Sequence, residues 1–246
     1  MSLEPWQWAV AALAAFLIGL SKTGITGIAI FAVVTFASVL PARESVGVVL
    51  PVLLAGDLVA VTVYRREADR GQLLRLFPWA AAGVVGGAVA AGRLPDGAMR
   101  LLIGAIVVAL ALFQAARMWR PPADAGAPLP GWASPAAGLL SGFTTMVANA
   151  AGPLMTVYLL ASGLPKYVFV GTAAWFFLAL NLFKVPFSLG LGLITGSTLA
   201  VSLGLAPFCV AGALVGRRLI RGIDQRAFEL IALALSLVAG LRLLLW

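Results

Sequence analysis

The chain has 246 residues, 62% of them hydrophobic and 11% charged, with a formal net charge of +8. Ordinary soluble domains are about 45–50% apolar and about 25% charged, so this composition, with a mean hydropathy of +1.04, excludes a soluble globule. There is no histidine and one cysteine, Cys209, which excludes His-based metal sites, His proton relays and an intrachain disulfide.

The first apolar run covers residues 6–40. As one helix it would be roughly 50 Å long at 1.5 Å per residue, against a hydrocarbon core of about 30 Å. Ser21, Lys22, Thr23, Gly24, Thr26 and Gly27 interrupt its centre. The opening MSLEPWQW lacks the basic start of a signal peptide, so the run is expected to stay. Residues 44–64 make a span of ordinary length that holds Asp57, the only carboxylate deep in a span. A loop with Arg65, Arg66, Arg70 and Arg75 follows. Residues 76–92 carry GVVGGAVAAG. Lying inside a hydrophobic span, these small residues read as a helix-packing face rather than a phosphate loop. Residues 96–117 close the first half.

RPPADAGAPLPG, residues 120–131, is a Pro/Gly-rich connector that cannot be helix. It divides a first repeat, 1–119, from a second, 132–246. The second opens with an overlong run at 133–164, broken by Ser141, Gly142, Thr144, Thr145, Asn149 and Gly152-Pro153. Spans at 167–189, holding Asn181, Lys184 and Pro186, at 194–219 and at 224–246 follow. Both overlong runs end in Leu-Pro with a Gly six residues after the Pro: Leu40-Pro41 to Gly47, and Leu164-Pro165 to Gly171. The offset between them is 124 residues, which also makes Asp57 and Asn181 equivalent and puts Met146 at the Lys22 position.

Charge sets the topology. With eight simple spans the Arg65–Arg75 and Arg217–Arg226 loops face opposite sides, against the positive-inside bias. If each overlong run is instead a hairpin that enters and leaves on one side, three crossings remain per half. Both Arg loops then face the cytoplasm. Of the 17 Lys and Arg, eleven lie inside, four outside (Arg43, Arg93, Arg100 and Arg242) and two, Lys22 and Lys184, within the membrane. The expected fold is an all-α polytopic membrane protein of two inverted repeats, each a broken re-entrant helical hairpin plus three transmembrane helices. Transporters use that plan, with broken helices meeting near the midplane. Long tilted helices with Gly packing faces are the alternative. The net charge gives no reason to expect a nucleic-acid partner, because the arginines sit in short loops.

A mid-membrane lysine costs roughly 2.5–3.5 kcal/mol on insertion scales, so Lys22 is expected at a cavity, partner or ligand, unless it snorkels to the interface. A chain break near Gly24 to Gly27 would aim free helix N–H groups inward, which favours anions. The hydroxyls and amide of the second break are hydrogen-bonding groups or ordinary helix glue. Asn181 and Lys184, three apart, share a helix face. Asp57 can pair with Lys22 or Lys184, or bind a coupling proton; a fixed ion pair is the other reading. These three charges sum to +1, which suits a small anion. Nothing in the sequence points to catalysis, a metal or a cofactor.

The Gly-rich openings GLSKTGITG and GLLSGFTTMVANAAGP, the LP-x5-G elements, the Arg loop after the second span and the small-residue third spans together resemble the sulfite exporter TauE/SafE family of bacterial membrane permeases. The resemblance covers nearly the whole chain. The family's openings are usually richer in glycine; Thr and Asn stand here instead, as in a pocket tuned to its own substrate. The resemblance implies export of a small sulfur oxyanion, sulfite or a short organosulfonate, across the bacterial inner membrane. The expected substrate-binding residues are Lys22, Ser21, Thr23, Thr26, Thr144, Thr145 and Asn149, with Asn181 and Lys184 beside them and Asp57 as coupling residue. An anion channel or a carboxylate permease is the rival reading, a proton the candidate coupling ion, and a homodimer is left open.

Overall fold

The computed structural model describes residues 3–23, 28–118 and 129–219, with isolated positions beyond 230. Thr26, residues 119–128 of the connector and most of the expected last span lie outside the described residues. Among the described residues the chain is helical throughout: α1 (Pro5–Lys22), α2 (Ile28–Val39), α3 (Ala42–Tyr64), α4 (Arg70–Arg93), α5 (Asp96–Met118), α6 (Ala133–Ala148), α7 (Gly152–Ala161), α8 (Lys166–Gly190) and α9 (Gly196–Leu219). Five of these, α3, α4, α5, α8 and α9, are long and apolar enough to cross a membrane.

Both overlong runs are broken where polar and small residues interrupt them, and both fold back. In the first, the Gln7 side chain near the start of α1 donates to the Val39 carbonyl at the end of α2, at 3.1 Å. In the second, the Ser134 and Tyr158 hydroxyls, at the start of α6 and late in α7, are 2.8 Å apart. At 1.5 Å per residue α2 and α7 are only about 18 and 15 Å long, roughly half a bilayer core.

Local signals place the helix starts. A capping box, with the Glu4 N–H bound to Gln7 Oε1 at 2.9 Å, opens α1. Asp69 caps α4 by accepting from the Gln72 N–H at 3.0 Å. The two Leu-Pro pairs serve alike: Pro41 and Pro165 are the N-cap residues of α3 and α8.

The halves interlock through small residues. Along α4, Gly83 and Gly87 lie against the backbone of α6 at Leu139 and Phe143; along α9, Gly212 and Gly216 lie against α1 at Phe16 and Leu20. No Cβ would fit between these backbones, and such close approach is what drives helix association where lipid is as apolar as the side chains. The same contacts show α4 running parallel to α6, and α9 parallel to α1. By contrast α3 and α8 are antiparallel. Gly47, near the start of α3, meets Leu193 beyond the end of α8. Asp57 meets Asn181 midway, and Gly171, near the start of α8, meets Glu67 beyond the end of α3. The two LP-x5-G glycines thus do one job: Gly47 lets the loop after α8, and Gly171 the loop after α3, lie on its backbone.

A core of α2 to α8 residues and a second core of α1, α2, α3 and α9 residues fill the interior. Leu13, Leu58, Leu101, Leu112, Leu182, Leu203 and Leu214 are exposed on the outer faces, as a lipid-contacting shell requires.

Candidate functional site

The two chain breaks meet in the interior. At the second, α6 stops because Asn149 turns left-handed, with φ 52°. That conformation costs most residues about 1–2 kcal/mol, and asparagine is among the few that visit it routinely. The Asn149 N–H binds the Thr145 carbonyl at 3.0 Å, and α7 restarts at Gly152 with Pro153 in its first turn, where a missing N–H is harmless. At the first break α1 ends at Lys22 and α2 starts at Ile28. The first turns of α2 and α7 border one cavity.

A polar chain crosses behind that cavity. Lys22 Nζ is 2.7 Å from Asp57 Oδ1 and 4.4 Å from the centre of the Phe177 ring. Asp57 Oδ2 accepts from Asn181 Nδ2 at 2.7 Å. Lys184 Nζ donates to Asn181 Oδ1 at 3.3 Å, Asn149 Oδ1 at 2.6 Å and Thr145 Oγ1 at 3.1 Å. Asn149 Nδ2 closes the chain on the Val46 carbonyl at 3.1 Å. Asp57 and Lys184 have no exposed surface, whereas Lys22 keeps 10% of its side chain accessible. The Lys22–Asp57 pair is neutral as a unit, and Lys184 is the second buried amine of the interior. Its three hydrogen bonds go to neutral oxygens only.

The cavity holds about 80 Å³, well below the 300–1,000 Å³ that houses drug-sized ligands. Ser21, Lys22, Thr145, Asn149, Asn181 and Thr156 give it a polar end. Pro153, Met155, Phe169, Ala173 and Phe177 give it an apolar wall. Of the residues expected from sequence, Ser21, Lys22, Thr145, Asn149 and Asn181 therefore reach the cavity. Asp57 and Lys184 lie behind it in contact with those that do. Thr23 and Thr144 are off the wall, their hydroxyls donating to the Leu20 and Leu140 carbonyls of their own helices at 3.4 and 2.7 Å, and Thr26 is outside the described residues.

Phe177 and Thr156 were not singled out by the sequence. For Phe177 a signal existed: it precedes Asn181 by four residues and Lys184 by seven, so it shares their helix face. Among the described residues no cluster of three or more potential metal ligands occurs. A cation at the cavity, a hydroxyl beside it and two helix N-termini form an environment for a small anion.

A family model described as Sulfite exporter TauE/SafE matches residues 11–243. No curated protein matches the chain.

Proposed function

Because the chain belongs to the sulfite exporter TauE/SafE family and is a multi-pass membrane transporter, we propose that it exports a small sulfur oxyanion, sulfite or a short organosulfonate, across the bacterial inner membrane by alternating access. The observation that carries this reading is Lys22. It is the one lysine of the pair that reaches the cavity, and its counter-ion Asp57 is held behind it. An anion entering the cavity competes with Asp57 for the Lys22 ammonium. A proton on Asp57 removes that competition, which is how anion and proton movement would couple.

Two inverted repeats with re-entrant hairpins suit this reading. Supporting them, α1 and α6, α3 and α8, and α4 and α9 are equivalent at the repeat offset, and α3 runs antiparallel to α8. Asp57 binds its own equivalent, Asn181, as residues on a shared two-fold axis would.

The cavity is one-sided, as alternating access requires of any single state. Phe169, Ala173 and Phe177 line it from the half of α8 nearest the Arg65–Arg75 loop. Of their equivalents on α3, Ser45 and Val49 are buried off the cavity wall, and only Leu53, nearest the middle of the helix, touches it. On that opposite side Arg43 straps three elements together. Its guanidinium donates to the Ala91 carbonyl at 3.0 Å, the Leu94 carbonyl at 3.2 Å and the Leu191 carbonyl at 3.3 Å. With the Arg loops cytoplasmic, this is an inward-facing state sealed outside by Arg43.

The test is a thermal-shift screen of purified protein against sulfite, sulfate, thiosulfate, taurine, sulfoacetate and small carboxylates. A ligand stabilises by RT ln(1 + [L]/Kd). Sulfite or a sulfonate is expected to shift the parent and leave Lys22→Met unmoved. A shift by carboxylates alone would favour the rival permease, and flux that is linear in concentration and set by voltage would favour a channel.

A further inference from the structure

Lys184 is fully buried and does not touch the cavity, yet all three oxygens it binds belong to cavity residues. In its protonated form Lys184 has three hydrogens and accepts nothing, and Thr145 Oγ1, Asn149 Oδ1 and Asn181 Oδ1 then each face it with a lone pair. For the two asparagines this fixes the amide orientation. Their Nδ2 groups turn into the protein, to Asp57 and to the Val46 carbonyl.

Thr145 is different. Its oxygen accepts from Lys184, and among the described residues its hydroxyl hydrogen has no acceptor. Two neighbouring hydroxyls are committed to their own helices, Ser21 to the Ile18 carbonyl at 2.7 Å and Thr144 to the Leu140 carbonyl at 2.7 Å. Ser141 has no partner among the described residues but is off the cavity wall, and Thr156 lines the cavity without contacting Lys184. Thr145 is 98% buried, with its remaining surface on the cavity wall beside Lys22. A buried hydroxyl that accepts from a cation and has no acceptor of its own is polarised to donate.

We propose that Thr145 is the hydroxyl donor for the oxyanion in this cavity, and that Lys184 is a positioning residue that holds the Thr145 oxygen as an acceptor and so turns its hydrogen to the ligand. This deepens the anion-site reading above and rests on it. Lys22 supplies charge, which any anion satisfies. The Thr145 hydroxyl supplies direction, which favours a ligand with an oxygen lone pair at that wall. The second lysine thereby has a role without being a second anion contact.

The test measures the Kd of purified protein for sodium sulfite and for sodium ethanesulfonate. Thr145→Val keeps shape and removes the hydroxyl; Thr145→Ser keeps the hydroxyl. Hydrogen bonds to charged groups are worth enough to expect a loss of roughly tenfold or more in Thr145→Val, with Thr145→Ser within about threefold of the parent on the same reasoning. Lys184→Met should lose a similar factor, and the double variant Lys184→Met/Thr145→Val no more than the worse single, because both act through one hydrogen bond. The recovery in Thr145→Ser, which restores the hydroxyl but not the lost methyl, is the readout that loosened packing would not give. The proposal is overturned if Thr145→Val binds like the parent, if Thr145→Ser is as weak as Thr145→Val, or if the two losses multiply. Failure of the underlying reading looks different: the parent binds neither probe, or Lys22→Met binds as well as the parent.

Discussion

Replacing Asp57 by Asn isolates the role of the buried pair. The substitution keeps shape and still offers an oxygen, but it removes the counter-charge 2.7 Å from Lys22 Nζ. Breaking a buried ion pair by removing one partner costs about 3–5 kcal/mol. The lower end applies here, because Lys22 borders the cavity and keeps the Phe177 ring at 4.4 Å. At about 2–4 °C per kcal/mol for a chain of this size, a loss of about 3 kcal/mol lowers the Tm by roughly 6–12 °C. The same change should tighten anion binding, since the ligand becomes the only counter-charge for Lys22. Thermal shift with and without sulfite reads both effects: Asp57→Asn should start lower and recover more, with an apparent Kd reduced roughly tenfold for each 1.4 kcal/mol of removed competition. The double variant Lys22→Met/Asp57→Asn, neutral throughout, should regain stability without binding. A folded Asp57→Asn that binds the anion no better than the parent would refute the competition between carboxylate and substrate.

Three further outcomes are expected. Gly47→Ala forces a methyl onto the Leu193 backbone and should cost about 1–3 kcal/mol of stability, the usual range for overpacking, measured as a lower Tm in detergent. Asn149→Gly keeps the left-handed turn while Asn149→Ala does not, so the alanine variant should be less stable by about 1–2 kcal/mol, although both lose the Lys184 acceptor. Arg43→Ala removes three ties to carbonyls; in its background a Ser45→Cys label, buried in the parent, should react faster with an impermeant thiol reagent added from outside.

Much of this was legible in the sequence for a physical reason. Polar and small residues interrupt an apolar span, so the stretches Ser21–Gly27 and Ser141–Pro153 marked the breaks, although Ser21, Lys22 and Ser141–Thr145 stay helical and the second helix stops only at Asn149. The Leu-Pro pairs marked the ends of the two broken runs, and each proline is the N-cap of the helix that follows. Of the partners expected for Asp57, Lys22 is the one it meets, at 2.7 Å; its contact with Asn181, also at 2.7 Å, was not anticipated from their equivalence. What the sequence could not resolve was rotation. Thr144 and Thr145 are adjacent and chemically alike, yet about 100° of helix rotation sends one hydroxyl to its own backbone and the other to the cavity. The same applies to the lysines. Both are deep in apolar runs, but Lys22 sits at a helix end beside the cavity and Lys184 within α8 behind it, a difference set by how α8 packs on α3 and α4. The role of Met146 was likewise not readable: at the Lys22-equivalent position it packs against Gly87.

The sharpest test of the architecture is the sidedness of the second broken run. In a Cys209→Ala background, single cysteines at Gly131 and Ser162 flank α6 and α7, with Ala68→Cys marking the Arg loop and Ser197→Cys the opposite end of α9. A hairpin that enters and leaves on one face requires positions 131, 162 and 68 to label together from the cytoplasmic side and 197 from outside. Labelling of 131 and 162 from opposite faces would mean that the run crosses the bilayer once, and an anion site at its tip would be untenable.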